Sequence, residues 1–136
     1  MFACYIQDIR MTLFEALQGT PDWETKYQIL IEAGVQLPEF PESLRNTTNR
    51  ITGCTAPTWL TVSYDHDLLQ LQGYSKSHIV LGLIALLRES YTGLNYSEVK
   101  LKNQANFAPL AIDELITATR VNGFGTMIRI IKSTPC

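Results

Sequence analysis

The sequence predicts an α+β fold, a single domain over residues 1–136 in which a three-stranded antiparallel sheet is packed with helices. Three observations predict it. Apolar residues recur at helical spacing early and late in the chain, while between about Asn49 and Leu71 the period drops to two. The strand-like segments sit together, with helices before and after them, which puts the helices on a shared sheet instead of between alternating strands. With 136 residues, 46% hydrophobic and 18% charged, the chain is also long and apolar enough to bury its own core.

Ile6, Ile9, Leu13 and Leu17 predict a first helix stopped at Gly19. Thr20 reads as the N-cap of a second, with Pro21 in its first position and Asp22 and Glu24 favouring its positive end. Trp23, Tyr27, Leu30 and Ile31 share one face of that helix, and Gly34 is expected to end it. Leu37-Pro38-Glu39-Phe40-Pro41 reads as an extended connector. Arg50-Ile51-Thr52 is the expected first strand, Leu60, Val62 and Tyr64 mark the second, and Leu69 and Leu71 lie on the third. Asp65-His66-Asp67 turns the chain between the last two. Ser75 or Ser77 opens an apolar helix running towards Tyr91 and ended by Gly93. Shorter helical pieces follow at Ser97–Leu101 and Ile112–Thr117. A last helix, beginning near Thr119 or Asn122, turns Phe124, Met127, Ile128 and Ile131 inward and carries Arg129 and Lys132 near its end.

Composition narrows the function classes. A net charge of −2 without any lysine- or arginine-rich run argues against a nucleic-acid surface. The longest apolar stretch, Ile79 to Leu87, has nine residues, against the roughly 20 a membrane span requires. The first ten residues carry Gln7, Asp8 and Arg10, with no long apolar h-region or small-residue cleavage site, so no secretory leader is expected. Three cysteines far apart suit a reducing, cytoplasmic setting better than a disulfide framework. The glycosylation-like triplets Asn46-Thr47-Thr48 and Asn95-Tyr96-Ser97 then read as chance.

Cys4 and Cys136 lie at the chain ends, whereas Cys54 stands in Gly53-Cys54-Thr55-Ala56-Pro57-Thr58-Trp59-Leu60, in a turn just before a strand. A thiol there is presented to a partner, and the thiolate is the nucleophile. Gly53 beside it gives the turn backbone freedom that other residues lack. A cysteine hydrolase would need a base and an orienting group, and His66 and His78 single out neither; His78 is the nearby candidate base. An iron–sulfur scaffold would need several ligands, and mid-chain Cys54 stands alone. Asp65-His66-Asp67 reads as a solvated turn, because adjacent side chains diverge too far to share a metal.

The chain resembles the SufE/CsdE family of sulfur acceptors that serve cysteine desulfurases, over about Trp23 to Lys132. The resemblance is carried, in order, by Trp23-Glu24-Thr25-Lys26-Tyr27, Leu37-Pro38, Asn49-Arg50-Ile51-Thr52-Gly53-Cys54, Trp59, Leu71-Gln72-Gly73, Ile79-Val80-Leu81-Gly82-Leu83-Ile84-Ala85, Tyr91, and Arg120-Val121-Asn122-Gly123-Phe124 with Met127-Ile128. It implies a SufE/IscU-like fold and a catalytic Cys54 that takes the outer sulfur of a desulfurase persulfide. The acceptor stimulates that enzyme and passes the sulfur to an iron–sulfur assembly scaffold or another recipient. It would be a persulfide-carrying accessory to an enzyme, with no metal or cofactor of its own. Pyridoxal phosphate belongs to the desulfurase, of the SufS/CsdA type. The resemblance also implies a sheltered resting position for the sulfur and places Arg120 beside the cysteine loop. Gly53, Arg120, Tyr74, Ser75 and Lys76 are the expected supporting or partner-contacting residues. Tyr74-Ser75-Lys76 stands where many members have Asp-Ser-Asp, and Leu81 replaces a later basic residue; both departures bear on which desulfurase is served. The alternative reading is an interaction module that activates a desulfurase without carrying sulfur.

Overall fold

A hairpin of two antiparallel strands, β1 (Thr58–Asp65) and β2 (Leu68–Ser75), lies against a helical layer. The computed structural model describes residues 12–53, 56–112 and 118–136, with side chains in the last stretch from residue 121. The hairpin is set by its turn: His66 and Asp67 have φ of 52° and 66°, and Asp65 pairs with Leu68. Two consecutive left-handed residues match the twist of the flanking strands, so the register follows from the turn. Leu69, Leu71, Gly73 and Ser75 of β2 then face inward, alternating with exposed Leu68, Gln70 and Gln72.

The expected third strand is not formed among the described residues. Arg50-Ile51-Thr52 does run antiparallel to β1, but makes a single bridge, Arg50 to Trp59. Upstream, the Asn46 side chain accepts from the Asn49 amide, and the Arg50 amide donates to the Thr47 carbonyl. Those turns take the chain away from β1. Downstream, Gly53 at φ +92° bends it away again. What survives of the pairing is the Ile51 amide donating to Thr58 O at 2.8 Å and the Leu60 amide to Asn49 O at 2.9 Å.

Helix α1 (Leu13–Gln18) is capped by Thr12 in a capping box with Glu15. Thr12 is extended, so no helix runs unbroken through it from Ile6 and Ile9, which lie outside the described residues. Helix α2 (Trp23–Val35) is capped by Asp22, two residues later than expected. Thr20 is instead buried and donates its hydroxyl to the Ala16 carbonyl at 2.8 Å, closing α1. The inward face of α2 is Ile29, Leu30, Ala33 and Gly34; Trp23 is 64% exposed. Gly34 does not end the helix. A Cβ on it would lie 2.6 Å from Leu81 Cβ, and one on Gly82 would lie 2.2 Å from the Leu30 carbonyl oxygen. The two glycines let α2 cross helix α3 (His78–Tyr91) backbone against backbone.

Helix α3 starts at a Ser77 cap and is buried along most of its length, as its composition predicts. Glu89 on it accepts from the Leu13 and Phe14 amides, fastening α1, and Arg88 donates to Leu71 O in β2. Helix α4 (Tyr96–Leu101) opens on an Asn95 capping box. A 3-10 segment unmarked by periodicity, Gln104–Leu110, brings Phe107 edge-on to Phe124, with ring centroids 5.4 Å apart. Helix α5 (Ala118–Ser133) begins slightly earlier than expected and buries Phe124, Met127, Ile128 and Ile131. The predicted helix at Ile112–Thr117 lies outside the described residues beyond Ile112. No helix among the described residues is long and apolar enough to cross a membrane.

Tyr91 ends α3 inside the core, where its hydroxyl donates to Lys102 O at 2.9 Å and burial pushes its pKa up to about 12. An unfolded tyrosine ionises near 10. The native state therefore keeps its full advantage below about pH 10 and loses about 2 kcal/mol as pH rises to about 12. Denaturant melts between pH 9 and 12 should show this loss, and Tyr91→Phe should flatten it.

Candidate functional site

The loop that carries Cys54 is fixed at its base. Cys54 and Thr55 themselves lie outside the described residues. On the near side, Ile51 is buried and bonded to Thr58. On the far side, the Lys76 amide donates to Pro57 O at 3.0 Å, and the Ser75 hydroxyl reaches the same carbonyl at 3.3 Å. Thr58 and Ser75 face each other across the hairpin with their hydroxyls 2.8 Å apart, and Ser75 Oγ also accepts from the Ser77 amide.

Ser75, only 1% exposed, thus supports the loop from within rather than offering itself to a partner. Removing its hydroxyl leaves a buried network short of a partner, at a cost of about 1–3 kcal/mol. Ser75→Ala should lower thermal stability accordingly, with a smaller loss in a Thr58→Val, Ser75→Ala double variant, where both hydroxyls go together.

Tyr74, directly before it, is half-buried and belongs to a ladder on the outer face of the hairpin. Its ring stacks on Trp59 with centroids 6.1 Å apart, the Arg45 guanidinium lies 3.9 Å above Tyr74, and Arg50 lies 5.4 Å from Trp59. Trp59 is therefore buried from the side opposite Leu60, under residues flanking the cysteine loop. Arg45, Tyr74 and Leu81 also line a cavity of about 230 Å³ with Phe40 and Gly73. Two of the departures from the resembled family, Tyr74 and Leu81, meet there. Lys76 is exposed beside this ladder.

Gly53 is described, and its φ of +92° is one that side chains rarely adopt. A Cβ there would lie 3.5 Å from Thr126 Oγ1 on α5, so Gly53 sits beside that helix. Arg120 is six residues earlier on α5, about 9 Å along its axis. The side chain of Arg120 lies outside the described residues. His78 is exposed in the first turn of α3. Asp65-His66-Asp67 forms the hairpin turn, with His66 Nδ1 3.0 Å from Asp65 Oδ1. No metal-binding cluster is present among the described residues.

The structure thus brings Gly53, Ser75 and Tyr74 around one loop base, and adds Thr58, Arg45 and Thr126, which the sequence did not single out. Thr58 had a signal of sorts, since it faces Ser75 once the hairpin register is known.

Comparison with known proteins bears on the fold and on the family. A solution structure of a hypothetical protein from Thermus thermophilus superimposes with a TM-score of 0.74 at 19% identity, over 88% of each chain, which shows a shared fold. An uncharacterized SufE-like protein of Rhizobium meliloti is 36% identical over 117 residues, 82% of this chain and 84% of the relative. A protein of Wigglesworthia glossinidia brevipalpis named cysteine desulfuration protein SufE is 33% identical over 127 residues, 92% and 88% of the two chains. The SufE family, described as the Fe-S metabolism associated domain, matches residues 11–134. This chain belongs to the SufE family.

Proposed function

We propose that the protein is a sulfur acceptor for a cysteine desulfurase, carrying the sulfur on Cys54. The observation that carries this reading is the family membership, joined to a loop base that is hydrogen-bonded on both sides of Cys54 and has Gly53, at φ +92°, next to it. The name of the Wigglesworthia relative points to the same chemistry.

In this reading the Cys54 thiolate attacks the outer sulfur of a persulfide on the desulfurase cysteine. A new S–S bond forms on Cys54, the donor S–S bond breaks, and the donor cysteine leaves as a thiolate. The exchange moves one sulfur atom without any outside oxidant or reductant, by the same displacement as thiol–disulfide exchange. A second thiolate, on an iron–sulfur assembly scaffold or other recipient, removes the sulfur in the same way. Removal of the first sulfur frees the desulfurase for another turnover, which accounts for stimulation without a separate activating step. The chain needs no cofactor for this; pyridoxal phosphate works in the donor, of the SufS/CsdA type. The reaction suits a reducing, cytoplasmic compartment.

The test is to incubate the protein with a cysteine desulfurase and free cysteine, then measure intact mass and map peptides. One added sulfur, located on Cys54 and lost on adding a reductant, supports the reading. Sulfur on Cys4 or Cys136 only, or none, refutes it.

A further inference from the structure

A groove of about 710 Å³ lies between α4, the Gln104–Leu110 segment and α5. Lys100, Arg129 and Lys132 line it, and among the described residues no aspartate or glutamate does. Each cation is held by a neutral group: Lys100 Nζ donates to the Lys132 carbonyl, Lys132 Nζ to Asn103 Oδ1, and Arg129 Nη2 to Thr126 Oγ1 at 2.9 Å. The carboxylate–imidazole contact found among the described residues, Asp65 with His66, is elsewhere on the hairpin turn. Three positive charges therefore stay uncompensated by acidic neighbours among the described residues, on a chain whose net charge is −2.

The groove also has a position relative to the chemistry. Thr126 lines it, and the same Thr126 hydroxyl lies 3.5 Å from where a Cβ on Gly53 would stand. Its near end thus adjoins the residue preceding Cys54. Apolar Ile128 and Ile130 complete the wall between the cations, so an occupant meets both charge and apolar surface.

We propose that this groove receives an acidic segment of the sulfur-donating desulfurase and so aligns the donor with Cys54. The inference rests on the acceptor reading above. Cations gathered on an exposed rim act mainly on encounter rate and salt sensitivity, because exposed charges are screened within about 8–10 Å at physiological salt.

The experiment measures binding apart from transfer. Cys54→Ser protein, with and without Arg129→Glu and Lys132→Glu, is titrated by calorimetry with a purified cysteine desulfurase of the same cell at 50 and 300 mM NaCl. The unreversed protein should bind more weakly at the higher salt. The double reversal should weaken low-salt binding by about tenfold and flatten the salt dependence. Arg129→Gln with Lys132→Gln, which removes charge without inverting it, should fall between. Melting curves check that each variant is folded, and if the reversal does not fold, the glutamine pair decides alone. Salt-independent binding, no binding, or equal affinity in all folded variants overturns the proposal. In parallel, Cys54 in otherwise unreversed protein is loaded from the desulfurase and from cysteine persulfide. Salt-dependent, groove-dependent binding with no sulfur on Cys54 from either donor would sink the acceptor reading while leaving the groove as the docking site.

Discussion

Cys54→Ala is expected to reduce sulfur uptake from a desulfurase to background while leaving the fold intact. The substitution removes the only proposed nucleophile and deletes one sulfur atom from a loop whose base is held by other groups. Ile51 to Thr58, Lys76 to Pro57 and Ser75 to Pro57 are bonds that do not involve residue 54. A melting temperature close to that of the unaltered protein should accompany complete loss of mass labelling. The desulfurase's turnover should fall to its rate without the acceptor. If the alanine variant still stimulates the enzyme fully, the non-covalent activating module is the correct reading. If sulfur still accumulates on the variant, another residue carries it.

The second large effect is structural. Gly82→Ala places a methyl group 2.2 Å from the Leu30 carbonyl oxygen and 2.8 Å from Leu30 Cβ, where atoms cannot coexist. The obstacle is chiefly helix backbone, so a side-chain rotation cannot relieve it, and α2 and α3 must separate along their crossing. Overpacking of this kind costs about 3 kcal/mol. For a chain of this size that lowers Tm by about 10 °C, readable in a thermal melt followed by circular dichroism. Gly34→Ala should act in the same direction, and the double variant should cost less than the two losses summed, because one separation relieves both clashes. A Gly82→Ala melt within about 2 °C of the unaltered protein would show that the helices do not meet so closely.

These glycines also show where sequence reading stops. Gly93 and Gly34 look alike in sequence, each at the end of an apolar periodic run. Gly93 has φ +85° just beyond α3 and ends it as expected. Gly34 stays inside α2 because its neighbour across the crossing is Gly82, and no local pattern records that contact. Signals that act within a few residues were legible: Ser77 as a cap, Asp65-His66-Asp67 as the turn, and the inward face of α5 from Phe124 to Ile131. Signals decided by competition were not. Thr20 lost its expected cap role to Asp22, which holds the Thr25 amide and hydroxyl. Asn46 and Asn95, which open the two glycosylation-like triplets, build a turn and a helix cap. The third strand failed because turns on either side of Arg50-Ile51-Thr52 leave room for one bridge.

At the candidate site, the turn around Gly53 was legible from the residues before Thr58, whereas Ser75 was placed near the loop only by the resemblance, and its hold on Pro57 is seen only in the structure. The Arg45–Tyr74–Trp59–Arg50 ladder was not legible, since it depends on a register that pairs Trp59 with Tyr74. Thr126 was invisible for the same reason: its nearness to Gly53 arises only when α5 packs beside the hairpin.

The Ile51–Thr58 bond puts Cys54 on a short leash. Three residues of chain span at most about 10 Å, so while the bond stays closed the Cα of Cys54 lies no farther than that from the Cα of Ile51, and the thiol only a side-chain length beyond. On the proposed reading, a donor's sulfur must come to the mouth of the hairpin, because Cys54 cannot reach out across solvent to collect it. Cargo carried on such a tether would change hands only between molecules already touching, which would keep a reactive atom away from bystander thiols.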